Sequence, residues 1–91
     1  MEKAEIYKKA WEKWPQLQWL MVIEECAELQ KAVSKYIRHG ANSVTVNKIA
    51  DEVADVEIMC EQIRSLSPEN SELITRFKKY KLERLEKMLD D

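Results

Sequence analysis

The sequence predicts an all-α protein, a four-helix bundle built as one domain over residues 1–91. Three observations predict it. One Gly and two Pro leave little turn chemistry. Glu, Lys, Leu, Ala and Met dominate, and these residues lose little side-chain freedom in a helix. Apolar residues recur at three- and four-residue steps between the few breaks. A chain of 91 residues can form one core but is marginal alone, so oligomerisation is expected.

The first helix is expected from about Glu2 to Trp14, with Ala4, Tyr7, Trp11 and Trp14 at helical spacing until Pro15 interrupts it. The second runs from Pro15 or Gln16 to Arg38 and stops at Gly40, a natural C-terminal cap. "GANSVT" is the main loop, and Ser43 or Thr45 is expected to cap a third helix whose apolar stripe is Ile49, Val53, Val56, Cys60 and Ile63. "SLSPEN" breaks the chain again, with Ser67 as N-cap and Pro68 at the first helical position. The last helix continues through "LITRFKKYKLERLEKML".

A net charge of -2 from nearly balanced acids and bases offers no basic field for nucleic acid. No apolar run reaches the length of a membrane span, and the charged start "MEKAEIYKKA" lacks the core of a signal peptide. A cytoplasmic protein without nucleic-acid or membrane partners is the expectation. Cys26 and Cys60 form no CxxC pair or disulfide framework and read as small core residues.

The chemistry is concentrated in "LMVIEECAEL" (20–29) and "IADEVADVEIM" (49–59), where the densest negative charge sits in two of the most apolar segments. At about 100° per residue, Gln18, Met21, Glu25, Glu28 and Ala32 fall on one strip of the second helix, with Glu24 beside it. That strip borders an apolar stripe of Trp19, Val22, Cys26, Leu29 and Val33. On the third helix, Lys48, Glu52, Asp55, Met59 and Gln62 align in the same way. Like charges one turn apart destabilise a helix, and apolar neighbours add a desolvation cost, so something cationic should offset them. In an antiparallel pair, Glu25/Glu28 and Glu52/Asp55 face each other and can surround one or two divalent ions. An oxygen-only donor set suits Mg²⁺, with Mn²⁺ as substitute. A ferritin-like di-iron site needs Glu-x-x-His, and the single histidine, His39, lies at the mouth of the loop.

These residues resemble the MazG-type all-α nucleotide pyrophosphohydrolases, whose signature is EExxE, a spacer of some two dozen residues, and ExxD. Glu24-Glu25-Cys26-Ala27-Glu28 and Glu52-Val53-Ala54-Asp55 match it. "WPQLQWLMVIEECAELQKAVSKYIR" looks like the family's first motif helix, while "IADEVADVEIMCEQI" and "FKKYKLERLEKML" look like its later helices. Pro15 stands where relatives often carry glycine. The resemblance implies hydrolysis of a nucleoside triphosphate, often a deoxynucleotide or a non-standard one, to the monophosphate and pyrophosphate. It implies Glu25, Glu28, Glu52 and Asp55 as Mg²⁺ ligands, Glu24 as the residue that holds or deprotonates the attacking water, and a homodimer or homotetramer.

For such a substrate, Lys35 and Lys48 are the first candidates to meet the β and γ phosphates, and Lys81 and Arg84 of the last helix are further ones. Gln18 is the candidate for the base, with Trp14 as a stacking surface beside Tyr36 and Trp19, the last more naturally a core residue. Two rival classes remain: a non-catalytic helical interaction module, and a regulatory nucleotide- or metal-binding domain without turnover.

Overall fold

The computed structural model describes residues 1–90, and the chain is all-helical over that range, with α1 (Lys3–Lys13), α2 (Pro15–His39), α3 (Ser43–Arg64) and α4 (Pro68–Leu89). Each boundary has a local chemical cause. Trp14 takes φ -133° and ψ 61°, outside the helical region, as the residue before a proline must. Pro15 then opens α2 at a position where no N–H is needed. Gly40 ends α2 at φ 77° and ψ 178°, a conformation in practice reserved for glycine.

The cap of α3 is Asn42, in place of the expected Ser43 or Thr45. Its side-chain oxygen accepts from the N–H groups of Val44 and Thr45, both at 3.0 Å. Thr45 Oγ1 returns the arrangement by accepting from Asn42 N–H at 3.1 Å and donating to the Gly40 carbonyl at 2.8 Å. Asn42 with Thr45 is thus a reciprocal capping box, and only Gly40, Ala41 and Asn42 lie between the helices. So short a connection forces α2 and α3 antiparallel. Ser67 caps α4 as expected, accepting from Asn70 N–H at 3.0 Å.

The hairpin of α2 and α3 is the body of the molecule, and α1 and α4 pack on it far more lightly. α1 precedes α2 yet is fastened to the end of α3. Tyr7 donates to Glu61, Lys3 pairs with Glu61 at 3.1 Å, and the Trp11 indole donates to the Gln62 carbonyl at 2.9 Å. α4 is bolted on by Arg64, which donates to Ser71 O, Ser71 Oγ and Thr75 Oγ1 at 2.9, 3.1 and 2.7 Å. Beyond Ile74, every described residue of α4 is exposed. The four helices therefore do not close into a bundle within one chain. The radius of gyration is 16.1 Å, against about 12 Å for a compact chain of this length.

Burial inverts the sequence reading. The positions that face between α2 and α3 are the acidic strips themselves: Gln18, Ala32, Thr45, Glu52, Met59 and Gln62 are buried, and Glu25, Glu28 and Asp55 are half-buried. The flanking apolar stripes carry much of the exposure. Trp19 is 45% exposed, its ring tilted against Trp11 at 5.2 Å between centroids, rather than a core residue. Cys26 and Cys60, expected to be packed, are exposed free thiols. Among the described residues, no helix is long and apolar enough to cross a membrane.

Candidate metal centre

The antiparallel hairpin brings the middle of α2 opposite the middle of α3. Glu25 from α2 meets Glu52 and Asp55, one turn apart on α3, with one carboxylate oxygen of each within 4.8 Å of the others. Glu52 is only 4% exposed. Its Oε1 receives the Lys48 ammonium at 2.9 Å, while its Oε2 is buried with no hydrogen-bond partner. A buried carboxylate oxygen left unpaired is expensive, and a cation bound there would offset that cost.

The electrostatics agree. Burial holds the Glu25 carboxyl above its usual range, and the Asp55 charge, a hydrogen bond shared with Asp55, and the charges of Glu52 and Glu24 push it the same way. Lys48 is shifted upward by its hydrogen bond to Glu52 and by the Glu52 charge, with smaller contributions from Asp51 and Glu28. Among the described residues, Lys48 is the only cation within ion-pair distance of the cluster.

Three of the four expected metal ligands thus converge. Glu28, the fourth, lies one turn further along α2, half-buried and near enough for Lys48 to feel its charge. Glu24 is exposed at the edge. The donor set fits a hard divalent cation: it is all oxygen, anionic and carried on rigid helices.

Beside the cluster, towards the interhelical loop, lies an open cleft of about 570 Å³ between α2 and α3. Lys35 and Lys48 both line it, together with Ser43, Asn47 and Asp51. Sequence reasoning finds the two lysines and misses Ser43 and Asn47. Their signal is the four-residue step Ser43, Asn47, Asp51, Asp55, a strip running beside Lys48 and Glu52 towards the carboxylate cluster.

The other candidates are placed differently. Gln18 is 2% exposed, its amide N–H reaching the Ala10 carbonyl of α1 at 3.5 Å and its Oε1 unpartnered, so α1 must move before it can meet a ligand. Gln62, which the sequence places on the acidic strip without a role, is buried in the same way with an unpartnered Oε1. Trp14 is 42% exposed at the α1–α2 junction with the Lys13 ammonium 4.9 Å from its ring centre. Lys81 and Arg84 lie on the free part of α4, the Arg84 guanidinium 5.9 Å from the Tyr80 ring, and nothing within the chain brings them to the carboxylates. No family model matches this chain, nor does any curated protein or solved structure match it significantly, so a functional reading stands on these residues and their geometry.

Proposed function

We propose that the chain is a Mg²⁺-dependent, MazG-like nucleoside triphosphate pyrophosphohydrolase that cleaves an NTP or dNTP at the α-phosphate. The observation that carries this reading is the junction of two unlike features: a carboxylate cluster with a buried, unpaired Glu52 oxygen, linked through the Lys48–Glu52 ion pair to a cleft lined by Lys35 and Lys48. An oxygen-rich anionic site alone has many uses. Paired with two lysines in one cleft, it suits a metal-chelated polyphosphate.

In this reading, Glu25, Glu28, Glu52 and Asp55 hold Mg²⁺. When bound, the ion would neutralise charge on the phosphoryl oxygens and acidify water. Glu24, exposed beside Glu25, takes the proton of the attacking water. The new bond joins water oxygen to the α-phosphorus, and the bond from that phosphorus to the α,β-bridging oxygen breaks. Lys35 and Lys48 neutralise the departing pyrophosphate at the loop end of the cleft. The nucleoside then extends towards Trp14, and Gln18 reaches the base if α1 swings aside. A cytoplasmic location belongs to the same reading, since that is where the nucleotide pool lies.

The active form in this proposal is a homodimer or homotetramer. Its support is an area: the chain exposes 7463 Å², against about 5,500 Å² for a compact monomer of its mass. The excess, roughly 1,900 Å² per chain, is the scale of an obligate interface. Ile23, 67% exposed, and Phe77, 57% exposed, are part of it. Lys81 and Arg84 would then be brought to the site by a neighbouring chain.

The test is pyrophosphate release from a panel of ribo- and deoxynucleoside triphosphates, with Mg²⁺ or EDTA, for the native chain and for Asp55→Asn. Release that requires Mg²⁺ and falls by roughly 100-fold or more in the variant is expected. No release from any nucleotide by the folded oligomer would overturn the catalytic reading in favour of a binding module.

A further inference from the structure

The cluster contains three carboxylates in mutual reach, yet among the described residues a single cation faces it, and that cation sits four residues from the carboxylate it contacts. Lys48 Nζ lies 2.9 Å from Glu52 Oε1 and 3.8 Å from Asp51 Oδ2. The two ends of the lysine differ in setting. Its ammonium touches a carboxylate that is 5% exposed, while about half of its own side chain faces solvent, lining the cleft it shares with Lys35. The other Glu52 oxygen, Oε2, stays buried and unsatisfied even with Lys48 in place. One ammonium therefore compensates the cluster only in part, and it does so from the cleft side, on a flexible stem with room to leave.

We infer that Lys48 is a built-in counter-cation: it stabilises the metal-free cluster by holding Glu52, yields that carboxylate to a divalent cation, and is thereby freed to pair with phosphate in the cleft. This rests on the metal-site reading above and adds an order to it, the cation first and the anion second. While Lys48 is bound to Glu52, one of the two cleft lysines is neutralised and the cleft is a poor anion site. Once Glu52 has a divalent partner, the ammonium is unpaired except for exposed Asp51, and it lies beside Lys35. Asp51 keeps the freed ammonium at the mouth of the cleft rather than letting it disperse into solvent. Cation and polyphosphate should then bind with positive coupling, each raising the affinity of the chain for the other by the same factor.

The inference makes Lys48 a competitor of the metal and a partner of the anion, two roles with opposite mutational signs. A lysine that served only the anion would leave metal affinity unchanged or, by removing a repelling positive charge at longer range, nearly so. A lysine that also occupies Glu52 must be displaced, and removing it spares that step.

Mn²⁺ binding, measured by electron paramagnetic resonance and calorimetry on the native oligomer, Lys48→Met and Lys48→Gln, tests this without any turnover. Both variants should bind Mn²⁺ roughly three- to tenfold more tightly than the native chain. With Mn²⁺ present, both should bind inorganic pyrophosphate more weakly, and the mutual enhancement of Mn²⁺ and pyrophosphate seen in the native chain should shrink. Should both variants unfold, side-chain ¹⁵N NMR of the native chain decides instead: addition of Mg²⁺ should shift the Lys48 ammonium and speed its exchange with water. Native binding of Mn²⁺ with no gain in either variant, or an unmoved Lys48 signal on saturation with Mg²⁺, would overturn the role of Lys48 while leaving the metal site standing. No Mn²⁺ binding by native or variant chains would overturn both.

Discussion

Replacing Glu52 by Gln should make the metal-free protein more stable, although it deletes the best-buried ion pair in the chain. The carboxylate is 4% exposed, within 4.8 Å of oxygens from Glu25 and Asp55, and has one oxygen without a partner. At an effective dielectric of about 20, two unit charges at that separation repel by roughly 3.5 kcal/mol. The upward shift of the Glu25 carboxyl, caused by burial and by the neighbouring carboxylates, acts against this repulsion. The Lys48 contact offsets a further part, weakly, because half of the lysine side chain is in solvent. An amide in place of the Glu52 carboxylate removes the charge and can donate to Asp55 or Glu25. The net gain expected in EDTA is about 1–3 kcal/mol, with the melting midpoint rising roughly 4–8 °C for each kcal/mol in a domain of this size. Thermal unfolding followed by circular dichroism, with EDTA and with excess Mg²⁺, is the assay. The native chain should gain about 2.7 kcal/mol at a Mg²⁺ concentration 100 times its dissociation constant, and the variant should gain little. A variant less stable than the native chain in EDTA would show that Glu52 is a structural partner of Lys48, and the argument from an unsatisfied cation site would fail.

Three further outcomes follow from the same geometry. Glu25 has a raised pKa in the fold, so its contribution to stability is complete below its unfolded value near 4.5 and is lost as pH rises through the folded value. Urea unfolding in EDTA should therefore weaken from mildly acidic to neutral pH, and Glu25→Gln or saturating Mg²⁺ should flatten the trend. Glu61, lowered by Tyr7 and Lys3, acts in the opposite sense below that window. Asn42→Ala removes the acceptor of two backbone N–H groups at the start of α3 and should cost about 1 kcal/mol in urea unfolding, with Asn42→Ser largely restoring it. Sedimentation of the native chain should show a dimer or tetramer, and Phe77→Asp combined with Ile23→Asp should shift it towards monomer; a native monomer at micromolar concentration would refute the assembly proposal.

The helices are legible in the sequence because their punctuation is chemical and local: Pro15, Gly40, Ser67 and Pro68 act within one turn of themselves. The cap of α3 is missed by one to three residues because Asn42, Ser43 and Thr45 are all competent, and the choice rests on which of them Gly40 presents in an extended conformation. The carboxylate site is legible because two strips at helical spacing, joined by a short loop, can only meet face to face. The side of the helix that is buried is not legible in the same way. Hydrophobicity points to Trp19, Val22, Cys26, Leu29 and Val33, yet Trp19, Cys26 and Val33 are exposed, Val22 and Leu29 are no more than half-buried like Glu25 and Glu28, and the buried positions of α2 are Gln18 and Ala32. A hydrophobic stripe says that a surface must be covered and is silent on whether the same chain covers it. Gln18 and Gln62 escape for a related reason, since their burial depends on α1 folding back to the end of α3 through Trp11 and Tyr7.

That inversion ties the site to the proposed assembly. Two helices joined by a three-residue turn share one interface, and here it is occupied by Glu25, Glu28, Glu52 and Asp55, with Thr45, two glutamines, Ala32 and Met59 filling its ends. Such an interface can position carboxylates, while Ala32 and Met59 are its buried apolar side chains, a small offset to the conformational entropy of ordering 22- and 25-residue helices. Many large apolar residues face outward instead, among them Trp19, Leu20 and Ile23 on α2, Ile58 on α3 and Phe77, Leu82 and Leu85 on α4. The carboxylates and the exposed stripes are therefore two consequences of one choice. In the proposed assembly, a chain that devotes its internal helix contact to charged residues covers its apolar stripes with a neighbouring copy, and the more fully that contact is given to chemistry, the more the fold depends on that copy.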